Sequence, residues 1–166
     1  MTLMFLLVLL VAPYLVLTLL GRWFPSLKMD PSKRARVGLS LFFLVTALAH
    51  FITPEEMAKM IPSSVPYRVE LIYVTGILEL LGAIGVWIPR LERVTGFLLI
   101  VMLIGLLPAN IYSAINRVEY GGHDAGPIYL LARVPFQLFV IWWTYFATGQ
   151  DWFRRRVRPA DERVAT

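Results

Sequence analysis

Apolar residues run along this chain in five long blocks, and polar residues break them only at intervals. The blocks cover residues 3–20, 37–52, 69–88, 94–113 and 127–147. A helix needs about 20 mostly apolar residues to cross a hydrocarbon core about 30 Å thick. Each block meets or approaches that length. The second is the shortest, so its helix is expected to start earlier, near Arg34. The blocks do not alternate as the strands of a membrane barrel do, and open strands leave backbone groups unpaired in lipid. The pattern therefore predicts an all-α membrane protein with five spans. An extra N-terminal helix covers 1–20, a basic cytoplasmic linker 21–36, a four-helix bundle 37–148 and a basic cytoplasmic tail 149–166. No basic residue precedes the first block, and Leu19-Leu20-Gly21-Arg22 is a poor cleavage site. That favours a retained helix over a signal peptide.

Composition agrees. The chain has 166 residues, of which 58% are hydrophobic and 16% charged. Soluble domains carry about 25% charge, so an ordinary soluble domain and a disordered chain are both excluded. Cysteine is absent, which excludes disulfides and thiolate metal sites. The net charge of +5 acquires meaning from its placement. One side of the predicted topology receives Arg22, Lys28, Lys33, Arg34 and Arg36, then Arg90 and Arg93, then Arg154, Arg155, Arg156, Arg158 and Arg163. The other receives Lys59, Arg68 and Arg117. Basic loops stay in the cytoplasm, so the expected protein sits in a bacterial inner membrane with its N-terminus outside and its tail inside. Nucleic acid is not an expected partner; these arginines lie beside membrane ends and meet anionic lipid.

Two external loops carry signals of their own. Thr53-Pro54-Glu55-Glu56 reads as a capping box with proline at the first helical position. It predicts a short helix to about Met60, with Met57, Met60 and Ile61 on one apolar face. That helix either lies on the bilayer or covers whatever opens beneath it. The loop 117–126 contains Gly121, Gly122 and Gly126, and its His123-Asp124 reads as a solvated turn pair. It offers too few ligands for a metal.

The chemistry lies in the polar residues inside the spans. Charge in lipid costs about 2.5–3.5 kcal/mol even on the lenient insertion scale, so such residues face protein or water and mark function. The second span holds Thr46 and His50 one turn apart. The third holds Thr75 and Glu79 on one face, with Gly76 and Gly82 allowing close approach of a neighbour. The fourth holds Asn110 beyond Pro108, which frees the carbonyl of Ile104. The fifth holds Arg133 and Gln137 about Pro135. At about 1.5 Å per residue, Glu79 lies about 15 Å and Arg133 about 9 Å from the outer end. The polar groups thus gather in the outer half, and the inner half is expected to hold few. Glu79 and Arg133 either pair with each other or serve a ligand.

These residues also form ordered motifs: Ala49-His50-Phe51, Pro54, Ile61-Pro62, Pro66, Thr75-Gly76-Ile77-Leu78-Glu79, Pro108-Ala109-Asn110-Ile111-Tyr112 and Arg133-Val134-Pro135-Phe136-Gln137. In that order they resemble the DoxX-like family of small bacterial membrane proteins. The resemblance covers roughly residues 38–148 and implies a four-helix bundle, with the first span as an addition. It also implies a site at His50, Glu79, Asn110, Arg133 and Gln137. Relatives include a subunit of a thiosulfate:quinone oxidoreductase and proteins linked to oxidative-stress defence or membrane-protein assembly.

The expected function is an outward-facing polar pocket for a quinone or similar lipophilic molecule, in a membrane oxidoreductase system. His50 and Glu79 are the candidate proton-handling groups. Asn110, Arg133, Gln137, Thr75 and Thr46 are the candidate ligand-binding groups, and no metal site is expected. With no electron carrier of its own, such a protein needs a redox partner. The alternative is an assembly or lipid-binding module without catalysis, whose partner is a client membrane protein.

Overall fold

The computed structural model describes residues 3–157, with side chains described for 3–149 apart from Leu27. It is helical throughout, and no strand occurs among the described residues. The helices are α1 (Leu3–Trp23), α2 (Pro31–Ile52), α3 (Pro54–Ala58), α4 (Arg68–Gly85), α5 (Glu92–Ile115) and α6 (Leu130–Val157). A 3₁₀ turn at Pro25–Leu27 joins α1 to α2, and a 3₁₀ segment at His123–Tyr129 leads into α6.

Four helical segments are long and apolar enough to cross a membrane: α1, α2, α5 and the run His123–Gly149 that contains most of α6. α4 falls short of the five-span expectation. Its 18 residues carry Arg68, Glu70 and Glu79, too much charge for a helix of that length to be apolar on composition alone. Its predicted block also ends three residues later than the helix, because Val86–Ile88 continue as turns bonded to Gly82, Ile84 and Gly85.

The linker expected over 21–36 is mostly helix. α1 runs on to Trp23, and α2 begins at Pro31, six residues before the apolar block. Proline at the first position needs no amide partner and has its φ already set for a helix, so a polar and basic first turn adds to the span. The expected tail starts inside α6; the side chains of Arg154, Arg155 and Arg156, and all of Arg158 and Arg163, lie outside the described residues.

α2 is the central helix, packed by α1, α4 and α6. Leu39, Phe42, Phe43, Phe136, Val140 and Trp143 form the heart of the core. Phe42 and Phe43 meet edge to face at 5.2 Å between ring centres. α1 crosses α2 at Gly38, where an added Cβ would fall 2.0 Å from the Leu10 carbonyl oxygen. Only a glycine permits that contact. Most of the remaining α1 surface is exposed.

The half expected to be the inner one holds more polar structure than the sequence pattern suggested. Arg36 and Glu92 form a buried ion pair at 2.6 Å. Arg36 Nε also donates to the Ala147 carbonyl at 2.8 Å. One guanidinium thus ties α2, α5 and α6 together. Ser40 donates to the Ala83 carbonyl and accepts from the Trp87 indole at 2.9 and 2.7 Å, which anchors the end of α4.

Candidate functional site

All seven residues singled out in the spans line one cavity of about 560 Å³. Thr46 and His50 come from α2, Thr75 and Glu79 from α4, Asn110 from α5, and Arg133 and Gln137 from α6. The apolar wall includes Phe42, Leu103, Leu106 and Phe136, and Leu3 and Leu6 of α1 reach it as well.

The α2–α4 side is built by close approach. A Cβ at Gly76 would lie 2.7 Å from the His50 Cβ, so the missing side chain is what seats α4 on α2 here. The His50 Nδ1 lies 3.5 Å from Glu79 Oε2 but directs its hydrogen to the Thr46 carbonyl at 2.8 Å. A carbonyl oxygen only accepts, so Nδ1 is the protonated nitrogen. Thr46 returns its own hydroxyl to the Phe42 and Phe43 carbonyls at 3.1 and 3.2 Å, and Thr75 likewise bonds the Leu71 and Ile72 carbonyls. Glu79 is 4% exposed, and its Oε2 has no hydrogen-bond partner.

The α5–α6 side is a fixed chain of amides. Gln137 Nε2 donates to the Leu103 carbonyl. Asn110 Nδ2 donates to Gln137 Oε1 at 3.2 Å and to the Leu106 carbonyl at 3.0 Å. Arg133 Nε donates to Asn110 Oδ1 at 3.2 Å. Asn110 therefore spends its amide on the protein and serves to hold Arg133. Among the described residues, the two terminal nitrogens of Arg133 carry no protein hydrogen bond. Glu79 and Arg133 face the same cavity without a direct ion pair, so the two-charge pin weighed from the sequence does not form.

Two loop readings change. The capping box at Thr53 is absent: its hydroxyl donates to the Ala49 carbonyl at 3.2 Å and meets the Tyr120 hydroxyl at 3.1 Å. The short helix still forms, and Met57, Met60, Ile61, Pro62 and Val65 cover the cavity. The Thr53–Tyr120 bond fastens this cover to the opposite loop.

His123 is the residue that sequence reasoning missed. It is 3% exposed rather than solvated, and it lines the cavity. Gly121, Gly122 and Gly126 all have positive φ, and those left-handed turns fold the segment inward. The His123 Nδ1 donates to the Tyr120 carbonyl at 2.7 Å, its ring packs edge-on to Tyr129 at 4.7 Å, and its Nε2 is buried without a partner. The glycine cluster was the available signal. Among the described residues, no group of three His, Cys, Asp or Glu stands ready to hold a metal.

A family model described as a domain of unknown function (DUF8561) matches residues 39–148. That range takes in every cavity-lining residue except Leu3 and Leu6 of α1. No curated protein and no solved structure matches the chain.

Proposed function

The chain belongs to the DUF8561 family, and we propose that it is a membrane protein whose cavity binds a quinone or a similar lipophilic molecule. In this reading α4 is a fifth span, held in the bilayer by α2. The N-terminus lies outside a bacterial inner membrane, and the basic segments lie in the cytoplasm. The four helices α2, α4, α5 and α6 then correspond to a DoxX-like bundle with α1 added on its flank.

One observation carries the proposal: polar side chains from four helices and the 3₁₀ segment converge on one apolar-walled cavity, and two of their polar atoms are buried without partners. Ligand pockets commonly hold about 300–1,000 Å³, mostly apolar with a few placed polar groups, and about 560 Å³ suits a ring with part of an isoprenoid tail. The Arg133 terminal nitrogens supply donors for a head-group oxygen. His50 and Glu79 handle protons at the opposite wall, since an imidazole exchanges them near neutral pH. A bound quinone supplies the redox chemistry. The chain has no cysteine to hold an iron–sulfur cluster, so electrons come from or go to a partner protein.

Quinone retention by the purified protein tests this. His50→Ala and Glu79→Gln are each expected to lose most bound quinone. Wild-type retention by both variants would defeat the site assignment. A stoichiometric protein partner in place of any small molecule would favour an assembly module instead.

A further inference from the structure

The cavity's free polar atoms are unevenly divided between donors and acceptors. His123 commits its Nδ1 hydrogen to the Tyr120 carbonyl, and His50 commits its own to the Thr46 carbonyl. Each neutral ring therefore presents a bare lone pair at Nε2. The His123 Nε2 is buried with no partner, and so is Glu79 Oε2, which accepts as a carboxylate and donates once protonated. The His50 Nε2 also has no protein hydrogen bond among the described residues. On the donor side, the amides of Asn110 and Gln137 are turned to each other and to helix carbonyls. Arg133 is the remaining permanent donor, joined by Glu79 only when that carboxyl is protonated.

A bare carbonyl head would satisfy Arg133 and set its other oxygen against lone pairs. A hydroxyl would satisfy both sides. Resting on the ligand reading above, we propose that the cavity selects a head group that donates hydrogen bonds, a hydroquinone-like phenol, over the corresponding quinone. His123 is the specificity-determining residue. Its Nε2 is a buried acceptor without a protein partner on a cavity-lining residue, which a ligand hydroxyl would complete, and an unmade buried bond costs more than a made one returns.

A matched pair of probes reads this directly. Decylubiquinol and decylubiquinone differ at the head by two hydrogens. Their binding to the full-length protein in detergent is followed anaerobically by tryptophan fluorescence at about pH 8, where an ordinary imidazole is neutral. The quinol is expected to bind about tenfold tighter or more. His123→Phe removes the acceptor and should shrink the preference to less than about threefold, chiefly by weakening the quinol. His123→Asn keeps a donor for the Tyr120 carbonyl while its own amide oxygen stops short of the Nε2 position, so it separates loss of that acceptor from loss of the loop; the same shrinkage is expected. Equal binding of the two probes, or tighter quinone, overturns this inference and leaves the ligand-binding reading standing. Binding of neither probe overturns both. An unchanged preference in both variants removes His123 from the role. Phytol, an aliphatic isoprenoid alcohol, is expected to bind more weakly than the quinol. Phytol binding as tight as the quinol would overturn the phenolic class.

Discussion

Glu92→Leu perturbs a buried ion pair between α2 and α5. Its partner Arg36 lies 2.6 Å off, and the two side chains are 8% and 6% exposed. Breaking a buried pair by removing one member costs about 3–5 kcal/mol. Replacing both by apolar groups of similar volume is often neutral or favourable. Arg36→Met with Glu92→Leu should therefore recover most of the loss. Recovery should stop about 1 kcal/mol short, because the Arg36 bond to the Ala147 carbonyl is gone in the double variant. Equilibrium unfolding in mixed micelles, followed by tryptophan fluorescence, gives the three differences as a double-mutant cycle. The reasoning fails if Glu92→Leu costs less than about 1 kcal/mol, the range of exposed pairs. It also fails if the two single losses simply add.

Two further perturbations bear on the cavity. Gly76→Ala places a methyl 2.7 Å from the His50 Cβ and should cost about 1–3 kcal/mol by overpacking; thermal unfolding checks the cost, and ligand retention should fall with it. Tyr120→Phe removes the bond to Thr53 and should cost about 0.5–1.5 kcal/mol, while ligand dissociation quickens; an unchanged off-rate would show that the cover is not held there.

The parts legible in the sequence were those set by long apolar runs. Lipid punishes unpaired polarity, so block length announced the helices, and the rarity of His50, Glu79 and Arg133 inside the blocks announced the cavity. What escaped depended on local geometry. His123 lies in a polar loop and is buried by three left-handed glycines, a turn that hydropathy does not register. Arg36 sits next to an apolar block and was counted in the basic cytoplasmic linker, and Glu92 carried no signal of its own; proline at the head of α2 extended the helix and carried Arg36 inward. Thr53 matched the capping pattern, but its hydroxyl had a better partner in its own helix. The position of α4 stays the least legible, since three charges offset its apolar residues.

Those charges bear on how the protein is made. In the five-span arrangement, α4 reaches the insertion machinery carrying Glu79 near its middle, and a charge there costs about 2.5–3.5 kcal/mol against entry into lipid. α2 is synthesised first and already displays His50 and Thr46 on the surface that α4 meets through Gly76. Biogenesis of α4 then depends on an earlier helix waiting in the bilayer, and the order of the two along the chain becomes part of the folding instruction. A glycosylation reporter should show α4 inserting poorly by itself and better behind α2, with Gly76→Leu abolishing the gain; equal insertion in all three would show that α4 enters unaided.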